Sequence, residues 1–193
     1  MQNLMQQHVD TCKHIFRYLR GMLNAWITYD GGKSSSLIGY SDADWSENRD
    51  NQQSTTGYVF LMTDAAVTWA SRMQKTMARS STKAEYMALS EACSEIAWLT
   101  ALQREIDYGF NGRVPLVTDN QGGIFLAVNP AHDCRLKHVD IQYHFIREYV
   151  KEGRVNIVYV STDKMIADTL TKPLGTTKFE GFRSQLGITI GNA

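Results

Sequence analysis

Apolar and polar positions along this chain follow two rhythms, one of period two and one of three to four, and the switches between them outline the elements. Over residues 8–20, Val9, Cys12, Phe16 and Leu19 fall three and four apart, which predicts an amphipathic helix ended by Gly21. The polar run Asp30-Gly31-Gly32-Lys33-Ser34-Ser35-Ser36 reads as a linker and the main domain boundary. Residues 37–41, 56–62 and 66–71 are short apolar runs bounded by turns such as Asn48-Arg49-Asp50-Asn51 and Thr63-Asp64, and they predict three strands in an antiparallel meander. Then the period changes. Leu89, Ala92, Ile96, Leu99 and Ile106 predict one long helix over 82–107, with Gly109 beyond its end. A strand at 115–118 follows, then a short helix at 121–128 stopped by Asn129-Pro130. The pattern closes with a helix at 139–151, a strand at 154–160 and a helix at 164–172 before Pro173. In the tail, Phe179, Phe182 and Leu186 predict a small docked helix.

The order βββ-α-β-α-α-β-α implies that the late strands run parallel to the first, because helical crossovers connect parallel neighbours. The expected fold is therefore α/β: a five-stranded mixed sheet, three antiparallel strands and then parallel additions, flanked by helices. With 193 residues the chain has room for one domain and an appendage. The expected division is an N-terminal helix and linker at 1–36, the main domain at 37–174, and a docked helix and tail at 175–193.

Composition narrows the function classes. With 43% hydrophobic and 21% charged residues, the chain resembles an ordinary globular protein. Its longest apolar stretches, such as Tyr58-Val59-Phe60-Leu61-Met62, fall far short of the roughly 18 residues of a membrane span, and residues 1–10 lack a signal-peptide core. Cys12, Cys93 and Cys134 form no C-x-x-C pair, so a reducing intracellular compartment is expected. A formal net charge of zero argues against independent high-affinity nucleic-acid binding. Locally, however, Arg72, Lys75, Arg79 and Lys83 occupy a stretch with no acid, and basic residues recur at Arg135 and Lys137, a rim suited to a nucleic-acid substrate.

The candidate chemistry is carried by Asp42, Glu85, Asp119 and Asp168. Asp42 ends the first main strand and Asp119 the fourth, so neighbouring parallel strands would bring both to one sheet edge. Glu85 falls in the first turn of the long helix and Asp168 in the closing helix. Carboxylates brought together repel unless a cation joins them, and oxygen ligands suit Mg²⁺ or Mn²⁺ rather than zinc. Two such ions about 3.5–4 Å apart would activate a water and stabilise a leaving 3′ oxygen, the chemistry of a hydrolytic nuclease. Each acid also has a plainer explanation: Thr82-Lys83-Ala84-Glu85 matches a capping box, Asp42 suits a turn, Asp119 a helix cap and Asp168 a solvated helix face. Only their conjunction favours the metal centre. His138 and His144 lie six apart on a predicted helix, on different faces, which disfavours zinc; His138, beside Lys137, is a candidate substrate contact. Trp45, Trp69 and Trp98 read as core residues, with Trp45 placed to stack beside the acids.

These motifs resemble the ribonuclease H domain at the C-terminal end of copia-type LTR retrotransposon polyproteins. The likeness runs collinearly from about His8 to Ile188. It rests on Gly39-Tyr40-Ser41-Asp42-Ala43-Asp44-Trp45, Ser54-Thr55-Thr56-Gly57-Tyr58-Val59-Phe60, Ser80-Ser81-Thr82-Lys83-Ala84-Glu85-Tyr86-Met87-Ala88-Leu89, Asp119-Asn120-Gln121, Lys137-His138-Val139-Asp140-Ile141 and Ala167-Asp168 through Leu170-Thr171-Lys172-Pro173-Leu174. The resemblance implies a ribonuclease H fold, an Asp-Glu-Asp-Asp metal set on Asp42, Glu85, Asp119 and Asp168, and two Mg²⁺ ions, with Mn²⁺ able to substitute. It further implies removal of RNA from RNA–DNA hybrids, hybrid contacts at Ser81, Thr82 and Gln121, and a reverse transcriptase domain as partner in the same polyprotein. Residues before about 36 resemble the connection to that domain. The implied location is intracellular: cytoplasmic virus-like particles, or the nucleus.

Two departures stand out. Lys83 occupies a position where relatives usually carry Glu, and Val160-Ser161-Thr162-Asp163-Lys164 lacks the His-bearing loop of cellular ribonucleases H, which implies slower turnover or a substitute group. The rival reading is a non-catalytic ribonuclease H-like module that positions a polymerase or binds a partner.

Overall fold

The computed structural model describes residues 5–33, 35–45, 53–106, 112–129 and 137–191, and only the backbone of 137–143. An N-terminal arm, helix α1 (Gln6–Gly21) and strand β1 (Ala25–Ile27), precedes the main sheet. Strands β2 (Ile38–Asp44), β3 (Thr55–Met62) and β4 (Ala65–Met73) form an antiparallel meander. Helix α2 (Ser81–Glu105) crosses to β5 (Val114–Thr118), which lies beside β2 and parallel to it. Helices α3 (Gln121–Val128) and α4 (Lys137–Lys151) lead to β6 (Val155–Tyr159), parallel to β5. A 3₁₀ turn (Thr162–Lys164), a four-residue helix α5 (Asp168–Thr171), helix α6 (Thr176–Gln185) and strand β7 (Ile188–Ile190) end the described chain. The sheet order, β4-β3-β2-β5-β6, is the mixed five-stranded arrangement expected from the element order.

The near-continuous apolar run of β3 reflects a strand covered on both faces. Tyr58 and Phe60 point into a core shared with Tyr86, Leu89 and Ile96 of α2, Leu116 of β5 and Ile146 of α4. Val59 and Leu61 point the other way, onto Ile166 and Phe182 of the C-terminal segment, with Leu170 and Leu186 beside them. The second core layer is therefore made by residues C-terminal to the last sheet strand. Gly39, level with Phe60 across the β2–β3 ladder, has no side chain because the Phe60 ring lies there: a Cβ would come 2.4 Å from Cε1.

Several expectations need correcting. The predicted helix over 164–172 is broken: a 3₁₀ turn, an extended Met165 and only then the single turn α5, starting at Asp168. Strands β1 and β7 were not foreseen, and they pair antiparallel in a separate two-stranded sheet, Ala25 opposite Ile190 and Ile27 opposite Ile188. Gly187, at φ +78°, carries the chain into β7 so close to Ala65 that a Cβ would lie 2.6 Å from the Ala65 Cβ. The tryptophans are not core residues: Trp45, Trp69 and Trp98 are 52%, 56% and 55% exposed. The predicted stripe of α1 is real in spacing but buries nothing, with Phe16 and Leu19 facing solvent.

Candidate metal centre

Parallel pairing of β2 with β5 sets Tyr40 opposite Val117, so Asp42 and Asp119, two residues further on each strand, emerge level at the same end of the sheet. Glu85 reaches them from α2. Small residues allow this approach: Ala84 and Ala88 of the helix pack on Ala43 of β2. One carboxylate oxygen from each of Asp42, Glu85 and Asp119 lies within 4.8 Å of the others. Asp42 and Glu85 are buried, at 1% and 7% exposure, and Asp119 is half-buried.

The local chemistry rules out the plainer explanations for these three acids. The cap of α2 is Ser80, whose hydroxyl accepts from the Lys83 N–H, and Glu85 instead accepts from the Ala43 N–H at 3.2 Å across the helix–sheet interface. Asn120, not Asp119, caps α3, accepting from the Gly123 N–H at 2.8 Å. Asp42 sits within β2, opposite Gly57, and is no turn residue. Freed of local duties, the three carboxylates face one another.

Asp168 approaches from the other side of Asp42 and is fully buried. Its position depends on Gly57, where a Cβ would lie 2.5 Å from Thr171 Cγ2 and 3.2 Å from the Ala167 carbonyl oxygen. That missing side chain lets α5 lie flat on β3. The Thr171 hydroxyl then donates to Asp42 Oδ2, and the Thr162 hydroxyl donates to Asp119 Oδ2 at 2.7 Å. Two lysines complete this side. Lys172 Nζ is 2.8 Å from Asp168 Oδ1 and 3.5 Å from Asp42 Oδ2, and Lys178 Nζ of α6 donates to Asp168 Oδ2 at 2.7 Å and to the Thr162 carbonyl at 3.2 Å.

The electrostatics follow the geometry. Burial, with like charge from Asp42 and Asp119, pushes Glu85 up to about 9, despite the Ala43 N–H and Lys172. Burial likewise raises Asp42 to about 6, although the Thr171 hydroxyl and Lys172 pull it down. Burial alone would lower Lys172, but the neighbouring Asp168, Asp42 and Asp119 outweigh it, so its affinity for the proton is raised. A buried set of three mutually repelling hard oxygen donors fits a divalent cation. Asp168 is not in that 4.8 Å group, and its buried Oδ1 faces the Lys172 ammonium at 2.8 Å.

The predicted substrate residues fall beside this centre in part. Ser81 and Thr82 open α2 and Gln121 opens α3, and the two helix starts meet where Thr82 packs over Gly122, within 3.0 Å of a Cβ placed there. His138 lies on α4, but its side chain is outside the described residues, as are Arg135 and Cys134. Thr162, Thr171, Lys172 and Lys178 were not picked out as site residues. The i, i+4 spacing of Asp168 and Lys172 was a readable signal; nothing local marks Lys178.

A β4-β3-β2-β5-β6 sheet with acids converging from β2, α2 and β5 defines a ribonuclease H-like fold carrying an acidic centre. The fold agrees with LC11-RNase H1, isolated from compost, at a TM-score of 0.53 and 18% identity over 71% of this chain and 93% of that one. The Pol polyprotein of transposon RE1 from Arabidopsis thaliana is 40% identical over 184 residues, 95% of this chain. That of transposon TNT 1-94 from Nicotiana tabacum is 36% identical over 189 residues, 97% of this chain. The chain belongs to the copia-type transposon Pol polyproteins, as a segment with a ribonuclease H-like fold. It spans 13% and 14% of the length of these two relatives. No family model matches it. Among the described residues, no helix is long and apolar enough to cross a membrane.

Proposed function

We propose that this chain is a Mg²⁺-dependent endoribonuclease that hydrolyses the RNA strand of RNA–DNA hybrids during retrotransposon reverse transcription. The observation that carries this reading is the convergence of Asp42, Glu85 and Asp119 within 4.8 Å at the end of a ribonuclease H-like sheet. LC11-RNase H1, of the same fold, has been solved in complex with an RNA/DNA hybrid (TM-score 0.51). Asp42, Glu85, Asp119 and Asp168 would hold two Mg²⁺ ions, with Mn²⁺ as substitute. Ions so held supply an activated water and charge neutralisation at the leaving 3′ oxygen.

The chain's own residues orient that chemistry. Thr162 and Thr171 each hold one carboxylate oxygen, of Asp119 and Asp42 respectively, and so orient those side chains. Ser81, Thr82 and Gln121 present two adjacent helix starts to the hybrid backbone, with His138 as a further contact. Discrimination of RNA from DNA rests on contacts to the 2′-hydroxyl. The catalytic unit is residues 37–174, with 1–36 as the connection to the reverse transcriptase of the same polyprotein and 175–193 as a docked tail. The setting is intracellular, in cytoplasmic virus-like particles or the nucleus.

The test is cleavage of a labelled RNA–DNA hybrid with Mg²⁺, beside single-stranded RNA, duplex RNA and an Asp119→Asn control. Cutting confined to the hybrid, dependent on metal and abolished by the substitution, is the expected result. Absence of cutting in both Mg²⁺ and Mn²⁺ would instead favour a non-catalytic module that positions a polymerase.

A further inference from the structure

Resting on the metal reading above, we propose that Lys172 is a tethered cation that occupies the Asp42–Asp168 side of the centre in place of a second divalent ion and yields that place when an ion arrives.

Two lysines are paired with one buried acid, Asp168, and they are held differently. Lys178 makes directed hydrogen bonds, to Asp168 Oδ2 at 2.7 Å and to the Thr162 carbonyl at 3.2 Å, and is held at both points. Lys172 lies as close to Asp168, at 2.8 Å from Oδ1, but its second contact is to another acid, Asp42, and not to a backbone carbonyl. The same ammonium reaches 3.5 Å from Asp42 Oδ2 and so bridges the fourth acid to Asp42. Its side chain is 31% exposed, so a path into solvent is open to it.

An ion joining Asp42 to Asp168 would need the oxygens that Lys172 now faces, and would meet a unit positive charge at close quarters. Among the described residues, Glu85 and Asp119 of the triad make no ion pair, whereas Lys172 contacts Asp42 and Asp168. Occupancy is therefore ordered. The triad takes the first ion, and the second enters only as Lys172 withdraws, while Lys178 keeps Asp168 in position throughout. Lys172 acts on the ions through Asp168 and Asp42, as a positioning residue.

The test is Mn²⁺ titration of the whole chain by electron paramagnetic resonance, which counts bound ions independently of cleavage. The wild type is expected to show one tight site and a second, weaker one. Lys172→Met should tighten the second site about tenfold or more, the size of effect that neighbours of metal ligands exert, and leave the first little changed. Lys172→Arg, which keeps the charge, should behave as wild type. Should Lys172→Met fail to fold by circular dichroism, Lys172→Gln, which restores a donor to Asp168 without charge, carries the same expectation. A second site unchanged in the neutral variants, or tightened equally by Arg, would overturn the proposal. Failure of wild type and variants alike to bind any Mn²⁺ would overturn the metal reading beneath it.

Discussion

The two sides of the acidic centre solve the same electrostatic problem in opposite ways. On the sheet side, Asp42, Glu85 and Asp119 come from a rigid framework of β2, α2 and β5, and their repulsion is relieved by holding protons or taking up a cation. On the C-terminal side, Asp168 is buried more deeply, yet two ammonium groups of the chain itself compensate it. Among the described residues, Glu85 and Asp119 are thus left without an ion pair, whereas Asp168 has two and Asp42 shares one of them.

The largest expected effect separates the two sides by pH. Asp42 and Glu85, at about 6 and 9 in the fold, bind more protons there than in the unfolded chain over the interval between ordinary carboxylate values and those figures. Stability of the metal-free protein must therefore fall as pH rises from about 5 to 9, by several kcal/mol, on the order of 10 °C in Tm. Added Mg²⁺ should remove most of that slope, because the ion takes the place of the protons. Thermal unfolding in EDTA and in Mg²⁺ across this range checks it; a flat EDTA profile would contradict the assigned burial.

Next in size is a difference of sign. In EDTA at pH 8, Asp42→Asn should raise Tm by removing a buried negative charge, since Asp42 is ionised there while Glu85 still holds its proton. Asp168→Asn should lower stability by about 2–3 kcal/mol, below the range for a fully buried pair because a third of each lysine side chain reaches solvent. Equal shifts from the two substitutions would remove the contrast between the sides.

The smallest effect tests the join between them. Gly57→Ala gains about 0.5–1 kcal/mol of strand preference but places a methyl 2.5 Å from Thr171, where overpacking costs about 1–3 kcal/mol, so a net loss of about 1 kcal/mol is expected. Hybrid cleavage should fall further than stability does, since α5 carries both Thr171 and Asp168. Denaturant unfolding beside the cleavage assay would show whether the two losses part company.

Much of this was legible in the chain, for reasons that also explain the omissions. Helix α3 was predicted at its observed bounds, and the apolar run of β3 marked a central strand, because local period reports burial directly. Asp42, Glu85 and Asp119 could be grouped because each follows or opens an element whose pairing the βαβ rules determine. Strands β1 and β7 were illegible: three residues each, they are strands only by virtue of each other, and no local pattern records a partner at the far end of the sequence. The exposed tryptophans were misread because aromatic character alone does not say which face a strand or helix leaves uncovered. Lys178 was missed for the same reason as β7, its role being visible only once α6 is docked.

The β1–β7 ladder has a consequence for the order in which the molecule comes together. It joins positions separated by almost the whole described chain, and contacts that close so long a loop form after the local ones. Emerging from the ribosome, the sheet strands and α2 can gather their three acids before α6 and Lys178, which follow them in the chain, can dock. The nascent chain therefore passes through a stage with an acidic hollow and no clasp, and the lysine that holds Asp168 arrives after the acids it serves.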